Sequence, residues 1–111
     1  RQETTTFNLR YAYWNGSTWH TETVRSSGDV GVRTALALDD ADRPGIAHWD
    51  LANKDLLYVA WDGAAWQDHI IDTAGDVGNG LSIGLDSQFR PILSYVDETN
   101  GTVKVARALW P

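Results

Sequence analysis

The chain has 111 residues, 42% of them hydrophobic, with six tryptophans, no cysteine and no methionine. The absence of cysteine excludes a disulfide framework, a thiolate zinc site and a cysteine nucleophile, and no apolar run approaches the roughly 18 residues of a membrane-spanning helix. The net charge of −6 argues against a nucleic-acid partner, because phosphate backbones are bound by basic surfaces.

Short runs of alternating apolar residues, separated by turn residues, predict β-strands along the whole chain. Two of the turns are Asn15-Gly16 and Asp62-Gly63, which are strong hairpin signals. No segment carries a sustained helical period, so the predicted fold class is all-β with antiparallel strands. In chain order the predicted strands are 9–14, 19–24, 34–39, 44–50, 56–61, 66–72, 81–86, 91–97 and 103–109.

An internal repeat of 47 residues underlies this pattern. Residues 9–55 align with residues 56–102 without a gap, and 15 of the 47 pairs are identical, most of them Trp, Gly, Pro, Asp or Leu. Tryptophan, glycine and proline are residues that fix anchors and turns, so the two repeats are predicted to share one structure. We expect a single domain over 1–111, with an extra strand at 103–109.

Four short antiparallel strands in each 40–50 residues are typical of a β-propeller blade. With strands labelled a to d outward from the axis, the chain has the order c–d, a–b–c–d, a–b–c. This makes about two blades, fewer than the four or so that a propeller needs to close. We therefore expect a closed ring formed by oligomerisation, with a six-bladed trimer favoured and a four- or five-bladed dimer as the alternative.

In that scheme the hairpin at 9–24 completes the a–b pair of a partner chain. One chain end must then give way, either 103–111 or Arg1–Phe7. The strand at 34–39 is bulky on one side, with Leu36 and Leu38, and small on the other, with alanines. Such a strand suits sheets stacked face to face, since bulky side chains then meet small ones.

The hairpins carry a spacing that points to a known family. Both contain Trp-x4-Trp over a Gly turn, at Trp14/Trp19 and Trp61/Trp66, followed nine residues later by Gly-Asp. The pattern resembles the small bacterial and fungal fucose-binding lectins, whose two-blade chains trimerise into six-bladed propellers. It is also similar to propeller repeats of bacterial surface proteins. The lectin resemblance implies sugar sites lined by the hairpin tryptophans.

The chain departs from that family at the charged part of the site. The family clamps its sugar with an Arg on strand b and a Glu on strand c. At the Arg position this chain has Ala47, and at the Glu positions it has Tyr11 and Tyr58. The aromatic half of the site is thus present without its charged half. Arg43 and Arg90, which follow the a–b turns, are candidates to supply the missing charge to a neighbouring hairpin.

The candidate ligand-binding residues each have a structural alternative. A tryptophan pair in a hairpin either stacks on a sugar or locks the hairpin and packs on the next blade. The arginines either enter a site or pair in solvent with nearby aspartates. The candidates are Trp14, Trp19, Trp61, Trp66, Arg43 and Arg90.

No metal site, cofactor or catalytic residue is predicted. Asp29 and Asp76 recur in Gly-Asp-Val-Gly, assigned to the crossover loops, and Asp50 and Asp97 end strand b. Repeated carboxylates of this kind either bind calcium or cap their own turns, and the absence of EF-hand spacing favours turns. No hydrolase, zinc-protease or phosphate-loop motif is present, so an enzyme is not expected.

Two functions remain after these exclusions. The first is a lectin-like, carbohydrate-binding β-propeller, for which the six tryptophans argue. The alternative is a self-assembling structural or protein-interaction propeller fragment, natural or engineered, without a small ligand, for which the missing clamp argues. Acidic charge and the lack of cysteine fit an extracellular bacterial protein, and they fit a cytosolic one too. The sequence does not settle the location, and an extracellular or cell-surface one is favoured.

Overall fold

The computed structural model describes residues 8–26, 33–50 and 53–108, which form nine β-strands. All nine predicted strands are confirmed, with ends that differ from the prediction by at most two residues except at β7. The strands are β1 (Leu9–Trp14), β2 (Trp19–Arg25), β3 (Thr34–Leu38), β4 (Pro44–Asp50), β5 (Asp55–Trp61), β6 (Trp66–Asp72), β7 (Val77–Leu85), β8 (Pro91–Asp97) and β9 (Thr102–Arg107).

One strand boundary was predicted wrongly. Gly-Asp-Val-Gly at 75–78 was assigned to a crossover loop, but Val77 and Gly78 already belong to β7, four residues before the predicted start. Gly78 and Gly80 have φ values of 112° and 59°, and the pairing register of β7 with β8 shifts twice here. These irregularities resemble bulges, which interrupt the alternation that predicts a strand. The first copy of this motif, and Arg1–Phe7, lie outside the described residues.

The strands are arranged in three antiparallel sheets. The first sheet contains β1 and β2, the middle sheet has the order β3-β4-β5-β6, and the third sheet has the order β7-β8-β9. This grouping of two, four and three strands agrees with the predicted c–d, a–b–c–d, a–b–c order. Within the described residues the structure has no helix long and apolar enough to cross a membrane.

The hairpin turns follow directly from their sequences. Gly16 and Gly63 have φ values of 99° and 104°, a conformation that only glycine adopts readily. The preceding side chain accepts two backbone N–H groups in each turn, from Ser17 and Thr18 at Asn15 and from Ala64 and Ala65 at Asp62, all at 2.8–2.9 Å. The turns therefore set the register that brings the tryptophans of each hairpin together.

The middle sheet packs on both of its faces. One face meets the first sheet in a core cluster of Leu9, Val24, Ile46 and Val59. The other face meets the third sheet in a second cluster, whose buried members are Ala47, Leu56, Tyr58, Val77, Leu93 and Tyr95. Neighbouring residues of β4 and β5 therefore pack into different clusters, because successive side chains of a strand point to opposite faces of the sheet. The molecule is a stack of three sheets with a core at each junction.

Candidate functional site

The hairpin tryptophans form two cross-strand pairs. Trp14 is opposite Trp19 and Trp61 is opposite Trp66, as predicted, with ring centroids 5.9 and 5.5 Å apart and interplanar angles of 67° and 64°. These are edge-to-face contacts, which stabilise a hairpin. Trp14 and Trp19 remain 55% and 66% exposed. The pairs therefore lock the turns and still present aromatic surface to solvent.

A first cleft opens between the first and middle sheets beside these hairpins. Its volume is about 540 Å³, within the range of small-molecule sites. The first sheet contributes Tyr11, Tyr13, Trp14 and Glu22. The middle sheet contributes the turn between β3 and β4 and the tryptophan pair of its hairpin. Its lining residues are Leu38, Ala41, Asp42, Arg43, Pro44, Trp61 and Trp66.

Glu22 is the acidic side chain that β2 places in this cleft. It pairs across the hairpin with Tyr11, and its Oε1 accepts a hydrogen bond of 2.8 Å from Nε1 of Trp66. The second carboxylate oxygen lies 3.1 Å from Nε2 of His20. Burial, together with the neighbouring Tyr13, Glu22 and Asp42, raises the pKa of the Tyr11 hydroxyl. The cleft therefore holds the Glu22 carboxylate, bonded to Trp66, beside the protonated hydroxyl of Tyr11.

Arg43 reaches the cleft from a tightly bonded turn. Oδ1 of Asp39 accepts the backbone N–H groups of Ala41 and Arg43 at 2.9 Å, and Oδ2 accepts Nε of Arg43 at 2.9 Å. Burial alone would raise the pKa of the Asp39 carboxyl, but these hydrogen bonds outweigh it and lower that pKa. The predicted pairing of Arg43 with an aspartate is thus present, and the arginine also lines the cleft.

A second cleft of about 300 Å³ opens between the middle and third sheets. Trp61, Arg43 and Pro44 line both clefts. The further lining residues are Ala37, Asp39, Asp40, Gly45, Tyr58, Ala60, Asp62, Gln67, His69, Leu85, Gln88 and Phe89. Burial, and the charge of Asp39, raise the pKa of Tyr58 to about 12, so its hydroxyl stays protonated at neutral pH.

The two clefts are equivalent positions of the repeat. Seven lining residues of the first cleft have their counterparts, 47 residues later, in the lining of the second. The pairs are Tyr11/Tyr58, Tyr13/Ala60, Trp14/Trp61, Glu22/His69, Leu38/Leu85, Ala41/Gln88 and Asp42/Phe89. The tyrosine, tryptophan and leucine are retained, whereas the charged positions differ. The chain thus carries one cleft architecture twice, with different polar groups.

Phe89 has an unusual backbone conformation for an aromatic residue. Its φ is 62°, and its counterpart Asp42 has a φ of 58°. Aspartate tolerates this left-handed region, but a bulky residue there is strained. Phe89 is 38% exposed and lines the second cleft. Backbone strain of this kind is common at ligand-binding sites.

The structure brings together four of the six predicted site residues. Trp14, Trp61, Trp66 and Arg43 line the first cleft, and Trp61 and Arg43 also line the second. Trp19 and Arg90 are among the lining residues of neither cleft. Nε of Arg90 lies 2.8 Å from Oδ2 of Asp86, in a turn that repeats the arrangement at Asp39.

Sequence reasoning missed Glu22 and His69 as site residues. A usable signal was present, because the pairing of Trp14 with Trp19 sets Tyr11 opposite Glu22, and the second hairpin likewise sets Tyr58 opposite His69. The Glu22 carboxylate therefore enters the first cleft from β2, whereas the resemblance placed a glutamate on β1. That position on β1 is occupied by Tyr11, the cross-strand partner of Glu22.

Asp50 and Asp97, which end equivalent strands, cap the turns that follow them. Oδ1 of Asp97 accepts the backbone N–H of Asn100 at 3.1 Å and Oδ2 accepts its side-chain amide at 2.8 Å; Asp50 and Asn53 repeat both bonds. The Asn100 amide is the main cause that lowers the pKa of the Asp97 carboxyl. Among the described residues no group of three or more His, Asp or Glu side chains is placed to hold a metal ion. Asp29 lies outside the described residues.

Comparison with known proteins adds no assignment. No protein-family model, no curated protein and no solved structure matches the chain.

Proposed function

We propose that the chain is a non-enzymatic, lectin-like module that binds carbohydrate in its two clefts, within a β-propeller assembled from two-blade chains. The observation that carries the proposal is the duplicated cleft. Each copy combines tyrosine and tryptophan with carboxylates and the shared Arg43 at the junction of two sheets. Aromatic faces contact the C–H groups of a sugar. Carboxylates accept hydrogen bonds from its hydroxyls, and a guanidinium group donates hydrogen bonds to them.

The charges favour a neutral saccharide over an anionic one. The first cleft is lined by Glu22, Asp42 and Arg43, so carboxylates outnumber guanidinium groups. The second cleft is lined by three aspartates against Arg43 and His69. A sialylated or sulfated ligand would meet like charge in both clefts, whereas the hydroxyls of a neutral sugar would find acceptors.

A ring assembled from several chains accounts for the incomplete sheets. The first sheet has two strands and the third has three, where the middle sheet has four. The described molecule measures 45 × 43 × 19 Å, and its smallest extent is close to the roughly 23 Å of a seven-residue strand. A flat unit one strand thick is what a sector of a propeller disc requires. A trimer with six blades remains the favoured ring, in which repeated weak sites would gain avidity.

Glycan binding tests the proposed function. The full chain is screened on an array of neutral and sialylated glycans, and the strongest neutral hit is titrated by tryptophan fluorescence. Trp61→Ala should weaken binding by about tenfold, since a lost aromatic contact of about 1.5 kcal/mol corresponds to that factor. Trp19→Phe is the matched control and should bind normally, because Trp19 lies outside both clefts and the phenyl ring keeps an aromatic partner for Trp14. No bound glycan on the array would reject the lectin-like function.

The second candidate is a propeller module that binds no small ligand. The edge-to-face tryptophan pairs and the Arg43–Asp39 bond favour it, because these contacts occupy the candidate groups without a sugar. In that case Trp61→Ala and Trp66→Ala lower the melting temperature and change no binding.

Assembly has its own test, independent of any ligand. For a protein whose folding depends on association, the melting temperature rises with protein concentration. We expect such a rise when the chain is concentrated in a calorimeter. A melting temperature that stays constant across the same concentrations would contradict assembly and leave the glycan-binding test unaffected.

A further inference from the structure

The first cleft, between the first and middle sheets, has aromatic rings on both of its walls. Tyr11 and Tyr13 lie on one face of β1, with ring centroids 5.7 Å apart. Trp66 of the middle sheet meets Tyr11 edge to face at 5.8 Å, and Trp61 lies 5.5 Å from Trp66. Tyr13 is 40% and Trp14 is 55% exposed, so aromatic surface remains open to a ligand. Grouped aromatic faces attract organic cations, because each face carries a negative potential.

Two carboxylates stand beside these rings, and no lysine or arginine of the described residues pairs with either. Glu22 accepts a 2.8 Å hydrogen bond from Nε1 of Trp66, and its second oxygen lies 3.1 Å from Nε2 of His20. Asp42 donates its backbone N–H to the carbonyl of the turn, and within the described chain its carboxylate forms no hydrogen bond or ion pair. Burial is the largest cause that raises the pKa of the Tyr11 hydroxyl, and the negative charges of Glu22 and Asp42 add to it. Both charges therefore act on one ring of the cleft.

The guanidinium group of Arg43 is bonded on the side of the second cleft. Its Nε lies 2.9 Å from Oδ2 of Asp39, and a Cβ built on Gly63 would lie 4.0 Å from its Nη1. The backbone N–H of Ala65 is the largest cause that lowers the pKa of the Asp62 carboxyl, and the charge of Arg43 adds to it. Asp39 and Asp62 line the second cleft and not the first. The first cleft thus keeps an excess of negative charge.

The second cleft differs at the two positions that carry this charge. His69 takes the place of Glu22, and Phe89 takes the place of Asp42. Asp62, which lines the second cleft, is occupied by the backbone N–H groups of its own turn. The pair of carboxylates beside aromatic rings is therefore a feature of the first copy, whereas the tyrosine and tryptophan are common to both.

We propose that the first cleft binds a saccharide with a protonated amino group, and that this ammonium group lies against the aromatic rings beside Glu22 and Asp42. An ammonium group has three donors and no acceptor, so it matches carboxylates that have no cationic partner. The Glu22 side chain is 36% exposed, and an ion pair at such a site is stronger than one in open water. The inference rests on the proposed carbohydrate binding, and it names the ligand class of one of the two clefts.

Two forms of one trisaccharide test the ammonium group directly. The first probe is a trisaccharide of glucosamine, at a pH where its amines are protonated, and the second is the same trisaccharide N-acetylated, which keeps the sugar rings and loses the charge. Calorimetric titration of the full chain should give a dissociation constant about tenfold lower for the free amine, the factor that corresponds to a partly desolvated cation–π contact. The preference should shrink as salt is added, because salt screens partly exposed charges.

Conservative substitutions identify the carboxylates. Glu22→Gln keeps an oxygen that can accept Nε1 of Trp66, and Asp42→Asn suits a φ of 58°, since asparagine also tolerates the left-handed region. Each single variant should reduce the preference for the free amine, and the double variant should bind both trisaccharides equally. Glu98→Gln is the matched control for Glu22→Gln, because Glu98 lies in an exposed turn after β8 and lines neither cleft. It should keep the tenfold preference.

Two results would overturn the inference and leave carbohydrate binding intact. One is equal or tighter binding of the acetylated trisaccharide by the wild-type chain. The other is a preference for the free amine that survives in the double variant, once circular dichroism shows that this variant is folded. If the double variant does not fold, Asp42→Asn alone is measured, and an undiminished preference overturns the inference in the same way.

Choline, an ammonium ion without a sugar, separates this inference from the lectin-like function. Binding of choline that Asp42→Asn weakens, with no saccharide bound, would support the ammonium site and reject the lectin-like function. Binding of neither choline nor any saccharide would reject both. Tryptophan fluorescence follows each titration, because the rings of the cleft include Trp61 and Trp66.

Discussion

Residues 25 and 72 are equivalent in the repeat, and each joins its sheet to the next one with opposite charge. Arg25 on β2 binds Asp68 of the middle sheet, with 2.7 Å between Nη2 and Oδ2. Asp72 on β6 binds Lys104 of the third sheet at 2.6 Å and accepts a 2.7 Å hydrogen bond from the Tyr95 hydroxyl. The link occupies the same position in both repeats, but the residue there is an arginine in one copy and an aspartate in the other. An alignment of the two copies does not predict the partner of either residue.

Asp72→Ala should lower the free energy of unfolding by about 1–3 kcal/mol, because the Tyr95 hydroxyl is left without its acceptor in a buried site. Tyr95 is 3% exposed. Asp68→Ala is the matched control, since the Asp68 side chain is 63% exposed and surface ion pairs contribute at most about 1 kcal/mol. Urea denaturation measures both variants, and an equal loss in the two would contradict a special role for Asp72.

Stability should fall in acid, because several carboxyl groups have lowered pKa values in the folded chain. The backbone N–H of Arg90 is the main cause for Asp86, and the side-chain amide of Asn100 for Asp97. A lowered pKa stabilises the fold above the unfolded pKa of about 4, and that contribution is lost as the pH falls through the folded pKa. Asp55, whose pKa is raised by burial and by Asp50 and Asp72, contributes with the opposite sign.

Denaturation at a series of pH values between about 5 and 2 should therefore show a falling free energy of unfolding. The double variant Asp86→Asn, Asp97→Asn removes two of the titrating groups, so its dependence on pH should be shallower. A slope equal to that of the wild-type chain would exclude these two carboxyl groups as the cause.

At the scale of the elements, the turn after β7 should combine lower stability with ligand contact. Phe89→Asp introduces the residue that the equivalent turn already has at Asp42, where φ is 58°. Relief of the left-handed strain should raise the free energy of unfolding by about 1 kcal/mol. The same change removes an aromatic wall of the second cleft and should weaken glycan binding there. Unchanged stability, measured in urea, would contradict strain at this turn.

The strands were predictable because each alternates apolar side chains between clear turns. Asn15-Gly16 and Asp62-Gly63 set the hairpin register, and this register placed both tryptophan pairs correctly. The start of β7 was not predictable, since Gly78 and Gly80 interrupt its alternation. Cross-strand counting from the tryptophans would have found Glu22 and His69, but their entry into clefts depends on how the sheets stack.

The stacking of sheets could not be obtained from one repeat alone. Alternation shows that β4 has two packed faces but not which neighbour covers each one. The first cleft arises where the turn after β3 meets the hairpin of the first sheet, and the second where the turn after β7 meets the hairpin of the middle sheet. Arg43 and Trp61 line both clefts. The candidate residues Trp19 and Arg90, although equivalent to Trp66 and Arg43, lie outside both clefts.

At the scale of the whole molecule, the described chain is a stack of three sheets in which the two outer sheets differ in their number of strands. The middle sheet is complete and its core residues Ala47, Leu56 and Val59 have no exposed surface. The outer sheets have two and three strands, and apolar side chains stay exposed on β3 of the middle sheet and on β9 of the third sheet. If copies of the chain associate as proposed, they bury this apolar surface, and the clefts recur around the proposed ring.

The molar mass of the full-length chain in solution tests this account most directly. Light scattering coupled to size exclusion, at micromolar concentration, should give about three times the chain mass of 12.3 kDa. Three chains are expected because the proposed ring has six blades and each chain is proposed to supply two of them. A folded, stable species with the mass of a single chain, unchanged on concentration, would contradict the account.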